Sequence, residues 1–194
     1  MKILDISREM LSAEVYPGDP TPRLEPLCRI AYGDPCNTSA LYACLHNGTH
    51  LDAPRHFVPD GMDAASLTLE ACVGECSVVA FSGVLLGADM ERILPGLQPR
   101  ILFKGEVEIS PSAAFVLADA GVLLVGVEAA SVSAAPTTVA VHRQLLDTGM
   151  VLLEGLDLSQ VEEGTYFLSA PPLKIAEADG SPVRALLFER QRRR

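Results

Sequence analysis

The sequence predicts a single compact α/β domain with a mixed sheet, and three observations predict it. Between residues 110 and 154, two helical stretches alternate with two short apolar ones at 122–127 and 150–153. Continuous apolar strands of that kind are buried on both faces, with helices as part of their cover. The chain has 194 residues, 48% of them hydrophobic, which supports one large core and is too apolar for disorder. No repeat or low-complexity linker divides it, so residues 1–188 are expected to form one domain. Residues 189–194 are expected to be a frayed basic tail carrying Arg190, Arg192, Arg193 and Arg194.

Taken in order, residues 1–7 alternate apolar and polar and read as a strand. Tyr16-Pro17-Gly18-Asp19-Pro20 is a turn cluster. Residues 27–32 and 40–45 read as strands leading into a histidine-rich segment. Asp60-Gly61 marks a turn, 76–81 an apolar strand, 90–94 a helical turn stopped by Pro95-Gly96, and 100–103 a short strand. Ser110 is placed to cap a helix running through about residue 120. Pro111 suits its first position, where no N–H is needed, and Gly121 suits the left-handed residue past its end. A second helix spans 138–148 and closes at Gly149. Late strands at 166–171 and 183–188 flank a turn at Asp179-Gly180-Ser181-Pro182.

Composition excludes several classes of partner. A formal net charge of -10 disfavours a nucleic-acid backbone or an anionic membrane. Tryptophan is absent and aromatics make up 5%, too few for a base-stacking platform. No apolar run approaches the roughly 20 residues that span a bilayer, and the N-terminus carries no secretion signal. Five cysteines without a CxxC pair (Cys28, Cys36, Cys44, Cys72 and Cys76) read as reduced, mostly buried thiols of a cytoplasmic protein.

Chemistry concentrates in residues 46–56, which read His46-Asn47-Gly48-Thr49-His50-Leu51-Asp52-Ala53-Pro54-Arg55-His56. Imidazole and carboxylate are the usual ligands of zinc and similar ions. Gly48 and Thr49 are poor helix formers and Pro54 forces Ala53 to be extended, so the segment is not a helix. In extended chain His50 and Asp52 share a face, about 6.6 Å apart. His46 would then lie about 20 Å from Asp52, so a common ion requires a bend, which Gly48 permits. Asp52 has two oxygens and can bridge two ions. His56 is either a further ligand or a free imidazole poised as general base.

A second constellation joins His142 to Glu154. The helix after His142 rises about 9 Å, and the strand to Glu154 returns about 13 Å, so an antiparallel arrangement brings both to one sheet edge. Alone, His142 would be a surface residue and Glu154 the first exposed position after a strand. Together with the histidine segment they suggest a metal-dependent hydrolase.

The pattern His-x-Gly-Thr-His-x-Asp-x-Pro-x-His at residues 46–56 resembles the signature of the cyclase family at every fixed position. That family includes bacterial kynurenine formamidases and isatin hydrolases. Similarity continues through Tyr16-Pro17-Gly18-Asp19, Arg100-Ile101-Leu102-Phe103-Lys104, Gly126-Val127-Glu128, Val141-His142, and the stretch from Leu173-Lys174 to Asp179-Gly180-Ser181-Pro182-Val183-Arg184. It covers the chain to about Phe188. The resemblance implies a swivelling β/β/α fold and two divalent ions per subunit, zinc or manganese. It implies His46, His50 and Asp52 on one ion and Asp52, His142 and Glu154 on the other, with Asp52 and Glu154 bridging and His56 as general acid/base. It also implies a homodimer or homotetramer acting on a small-molecule amide, in the manner of an arylformamidase. Two alternatives are a cyclic amide, as in isatin ring opening, and a metal-binding member without turnover. Tyr16 stands where formamidases carry tryptophan and is expected to contact the substrate with less stacking area. The stretch after Lys104 lacks the aromatic residues often found there in the family.

Overall fold

The computed structural model describes residues 2–189; of the tail expected at 189–194, Glu189 instead closes the last strand and 190–194 lie outside the described residues. The strand β1 (Lys2–Asp5) is followed by β2 (Arg23–Cys28), β3 (Thr38–Tyr42) and β4 (His50–Asp52). Next come α1 (Leu69–Cys72), β5 (Val73–Ala80), β6 (Gly83–Leu85), α2 (Gly87–Ile93), β7 (Arg100–Lys104), β8 (Val107–Ile109) and α3 (Pro111–Asp119). The chain then forms β9 (Leu124–Val127), α4 (Thr138–Leu146), β10 (Val151–Glu154), β11 (Gly164–Ser169), β12 (Gly180–Pro182) and β13 (Leu186–Glu189).

Among the described residues these strands form a nine-stranded mixed sheet in the order β1-β13-β11-β5-β7-β9-β10-β4-β12. Its middle, β5-β7-β9-β10, is parallel, and the flanking strands are antiparallel. The apolar runs at 122–127 and 150–153 contribute β9 and β10, each strand buried at every position. Side-chain alternation along them feeds two cores. Ile101, Phe103, Val125, Val127 and Leu152 pack against Leu117, Val141 and Leu145 from α3 and α4. Leu102, Leu124, Val151 and Leu153 meet Ile6, Leu168, Ala185 and Leu187, because the curled sheet brings its antiparallel edge over the opposite face. The predicted α/β class with a mixed sheet is the observed one.

The cap at Ser110 forms as its chemistry dictates: its Oγ accepts from the N–H of Ala113 at 3.2 Å. Residues 27–32 do not make one strand. β2 stops at Cys28 and residues 30–32 close a 3-10 turn ended by Gly33 at φ +92°, a conformation glycine adopts without strain. Residues 179–182, expected as a turn, contribute β12, which adds to β4. The cysteines also depart from expectation: Cys72 and Cys76 are buried, Cys28 and Cys44 half-buried, and Cys36 exposed. Burial pushes the thiols of Cys72 and Cys76 up to about 11 and about 12, which leaves them unreactive near neutrality.

Candidate metal centre

Strand geometry assembles the centre. On β4, alternation turns His50 and Asp52 to one face, and the register with β10 sets Glu154 opposite His50. Glu154 is the last residue of β10, at the carboxyl end of a central strand, where open α/β sheets place their sites. Gly48, at φ +67°, makes the bend that the sequence requires. That bend returns His46 to the strand, with its Nδ1 2.7 Å from Asp52 Oδ1. From the other side, α4 delivers His142, whose Nδ1–H donates to the Thr138 carbonyl at 2.7 Å.

Gly155 keeps the bend possible. It too is left-handed, at φ +67°, and a Cβ there would collide with the Gly48 carbonyl. Gly155→Ala is expected to displace the bend and lower metal affinity by at least about 10-fold, the scale on which a misplaced supporting group acts. Equilibrium dialysis against zinc checks this; wild-type affinity would show that the bend tolerates the methyl.

Two carboxylates lie among three imidazoles, nearly sealed from solvent: Asp52 is 1% exposed and Glu154 3%. His50 Nε2 stands 3.6 Å from Asp52 Oδ1 and 3.4 Å from Glu154 Oε2. His142 Nε2 stands 3.8 Å from Asp52 Oδ2 and 3.4 Å from Glu154 Oε1. Each carboxylate therefore directs one oxygen to His50 and the other to His142. Glu154 Oε1 also accepts from the Val132 N–H at 2.8 Å, which fixes its plane. His142 and Glu154, unremarkable when read singly, are both buried here.

The tautomers decide whether a cation suits this arrangement. His50 Nδ1–H donates to the Gly48 carbonyl at 3.0 Å, as His142 does to Thr138. In the neutral rings Nε2 is then an unprotonated acceptor. Acceptors face acceptors across 3.4–3.8 Å, a gap that a proton or a cation has to fill. Burial opposes charge on His50 and His142, but Glu154 and Asp52 outweigh it and raise both. Burial likewise raises Glu154, but hydrogen bonds to His142 and His50 hold its carboxyl well below the usual range. Protons thus balance the metal-free centre, and a divalent cation would displace them. One ligand atom each from His50, Asp52 and Glu154 lies within 4.8 Å of the others, and the same holds for His46, Asp52 and His56. The donor set fits a divalent ion of the zinc or manganese type.

His56 is the last residue of the 3-10 turn Pro54–His56, and its ring stacks on His46 with centroids 4.0 Å apart. Burial lowers its basicity. Asp52 and Asp179 pull the other way, but positive His46 and His142 add to burial and the net shift is down. His46 differs: burial opposes its charge, but Asp52 and Asp179 together push it up to about 9.

Asp179 is the site residue that sequence reading missed. Its Oδ2 lies 3.0 Å from His46 Nε2 and 3.4 Å from His56 Nδ1. The neighbouring Gly180 allows that approach, since a Cβ there would sit 2.5 Å from His46 Cε1 and 2.8 Å from the Leu51 carbonyl. An acid directly before a glycine was the available signal, but in sequence the pair reads as a turn.

A cavity of about 690 Å³ opens onto His46 and His50, with Arg8, Tyr16, Glu108 and Ser131 among its walls. Its size suits a small molecule. Tyr16 thus stands at the cavity, half in solvent. The Arg8 guanidinium is committed to the carbonyls of Leu156 and Glu128. Arg184 lies on Asp5 at 2.6 Å. No helix among the described residues is long and apolar enough to cross a membrane.

Comparison with known proteins agrees with this architecture. The Cyclase family model matches residues 4–94. A kynurenine formamidase from Erythrobacter litoralis (strain HTCC2594) is 36% identical over 204 residues, which is 97% of this chain and 94% of that protein. The chain belongs to the cyclase family, as residues 46–56 imply, and is a hydrolytic enzyme of that family.

Among solved structures, a potential metal-dependent hydrolase with cyclase activity superposes with a TM-score of 0.84 at 28% identity, covering 98% of this chain and 99% of that one. An isatin hydrolase bound to thioisatinate superposes with a TM-score of 0.83 at 17% identity, covering 96% and 91%. At that identity it speaks for the fold alone.

Proposed function

We propose that this chain is a metal-dependent amidohydrolase of the arylformamidase type, converting N-formylkynurenine to kynurenine and formate. One observation carries the reaction class: His46, His50, Asp52, His142 and Glu154 converge, while His56 stands beside them with its basicity lowered rather than raised. A purely structural metal site has no use for such a base. The substrate rests on the 36% identical kynurenine formamidase.

His46, His50 and Asp52 would hold one divalent ion and Asp52, His142 and Glu154 a second, zinc or manganese. The chemistry these residues would gain from a bound ion is polarisation of the amide carbonyl and acidification of water. The protein's own groups do the rest. His56, neutral at neutral pH, takes a proton from the attacking water and returns it to the leaving nitrogen. The bonds that His50 and His142 donate to the Gly48 and Thr138 carbonyls keep their rings from turning. Tyr16, at the cavity wall, offers its ring to the aromatic part of the substrate.

We read the working form as a cytoplasmic homodimer or homotetramer. Leu24, Leu27 and Leu41 on β2 and β3 are each more than half exposed, an apolar surface of the kind that subunit contact covers.

Elemental analysis followed by a substrate panel tests the reading. Bound metal and hydrolysis of N-formylkynurenine at least about 10-fold faster than isatin, a margin of about 1.4 kcal/mol in transition-state binding, is the expected result. Faster opening of isatin would move the substrate to cyclic amides, and metal without turnover on either would make this a binding member of the family.

A further inference from the structure

We propose that Asp179 is a positioning residue that sets the orientation and tautomer of His56 and of His46 with a single carboxylate oxygen. The proposal rests on the role given above to His56, and goes beyond it by naming what fixes which of its nitrogens is the base.

The geometry is specific. His46 and His56 are stacked at 4.0 Å, tilted by only 25°, so one edge of each ring faces the same way. Asp179 Oδ2 stands at that edge, 3.0 Å from one ring and 3.4 Å from the other. The backbone holds the carboxylate there from both sides. Ala53 N–H donates to the Asp179 carbonyl at 2.9 Å, Ala64 N–H donates to the Ala178 carbonyl at 2.9 Å, and Gly180 pairs with Asp52 across the β12–β4 ladder. The residue that orients the histidines therefore sits immediately before β12, the strand paired to the site's own β4.

The chemical consequence follows from what a carboxylate can accept. A proton on His56 Nδ1 is attracted to Asp179, so the neutral ring keeps its lone pair on Nε2. A neutral imidazole can act as a base at only one nitrogen at a time, and an orienting carboxylate is a known way to choose which. On His46, a proton on Nε2 faces Asp179 in the same way, and an ion bound on the side of Asp52 would displace the proton on Nδ1. A carboxylate behind a ligating histidine fixes its ring in the same way. A merely structural Asp179 would hold the loop but would not choose a tautomer.

Two measurements test this, one of them independent of turnover. Histidine ¹⁵N correlation spectra of the metal-free protein at pH 8 report the tautomer of His56 directly. Wild type is expected to show the Nδ1–H form, and Asp179→Ala a mixture or the Nε2–H form. With metal in excess, Asp179→Ala is expected to lower kcat about 10- to 100-fold, the usual scale for a group that orients a ligand or base, with KM changed less than about 3-fold. In the His56→Ala background the same substitution should cost clearly less than it does alone, because residues acting as a unit are not additive, and what remains is its part through His46. Asp179→Asn, close in shape, should fall between wild type and alanine, and carries the same readings if the alanine variant does not fold. An unchanged His56 tautomer, or losses that simply multiply in the double variant, overturns the proposal. If wild type hydrolyses no amide at all, the functional reading fails, yet the spectra still decide the role of Asp179.

Discussion

Asp52→Asn is expected to leave the protein without its metal and to lower kcat/KM by more than about 10³-fold, since altering a mere outer partner of a metal ligand already costs about 10–100-fold. Asp52 is where the constellations join. Its Oδ1 faces His46 and His50, and its Oδ2 faces His142. An amide in its place keeps one acceptor oxygen, turns the other position into a donor, and removes a negative charge. It could no longer offer an acceptor oxygen to imidazole nitrogens on both sides. Buried at 1% exposure, the position admits no water to compensate. Elemental analysis beside a formamide hydrolysis assay checks the result. Wild-type metal content would show that Asp52 is not a ligand.

His56→Ala should behave in the opposite way: metal content stays at the wild-type level while kcat falls roughly 10²- to 10⁴-fold, the range for removal of a general acid/base. The two variants separate holding the ion from using it. The pH profile offers a second reading. Burial lowers His56 from the ordinary imidazole value of 6.5. A base works when deprotonated, so activity is full above its pKa and is lost as pH falls through it. The acid limb of kcat/KM therefore belongs below 6.5, and His56→Ala should remove it. Loss of metal in this variant would instead make His56 a ligand, the reading that its proximity to His46 and Asp52 leaves as the competitor.

The legibility of the fold tracks pattern length. β9 and β10 announce themselves because strands buried on both faces need apolar runs, 122–127 and 150–153, the second ending just before Glu154, and α3 because Ser110, Pro111 and Gly121 each have one conformational use there. β12 could not be read: Gly180-Ser181-Pro182 has no strand propensity and becomes a strand only because β4 offers it an edge. β6 and β8, three residues each, are likewise too short to carry a period. The centre was legible for a different reason. Donors spaced two and four apart on chain that cannot be helical allow few conformations, and the bend at Gly48 is the one adopted. Asp179 escaped because its contribution depends on a strand pairing between segments more than a hundred residues apart, which no local pattern encodes.

Anomalous diffraction from crystals grown with manganese or zinc tests the central claim most directly. Scattering peaks are predicted between the Asp52 and Glu154 carboxylates, ringed by His46, His50 and His142 at ordinary coordination distances of about 2.0–2.2 Å, with the His56 ring free alongside. A map with no peak among those five side chains, or with the ion held by His56 in place of His46, would contradict it.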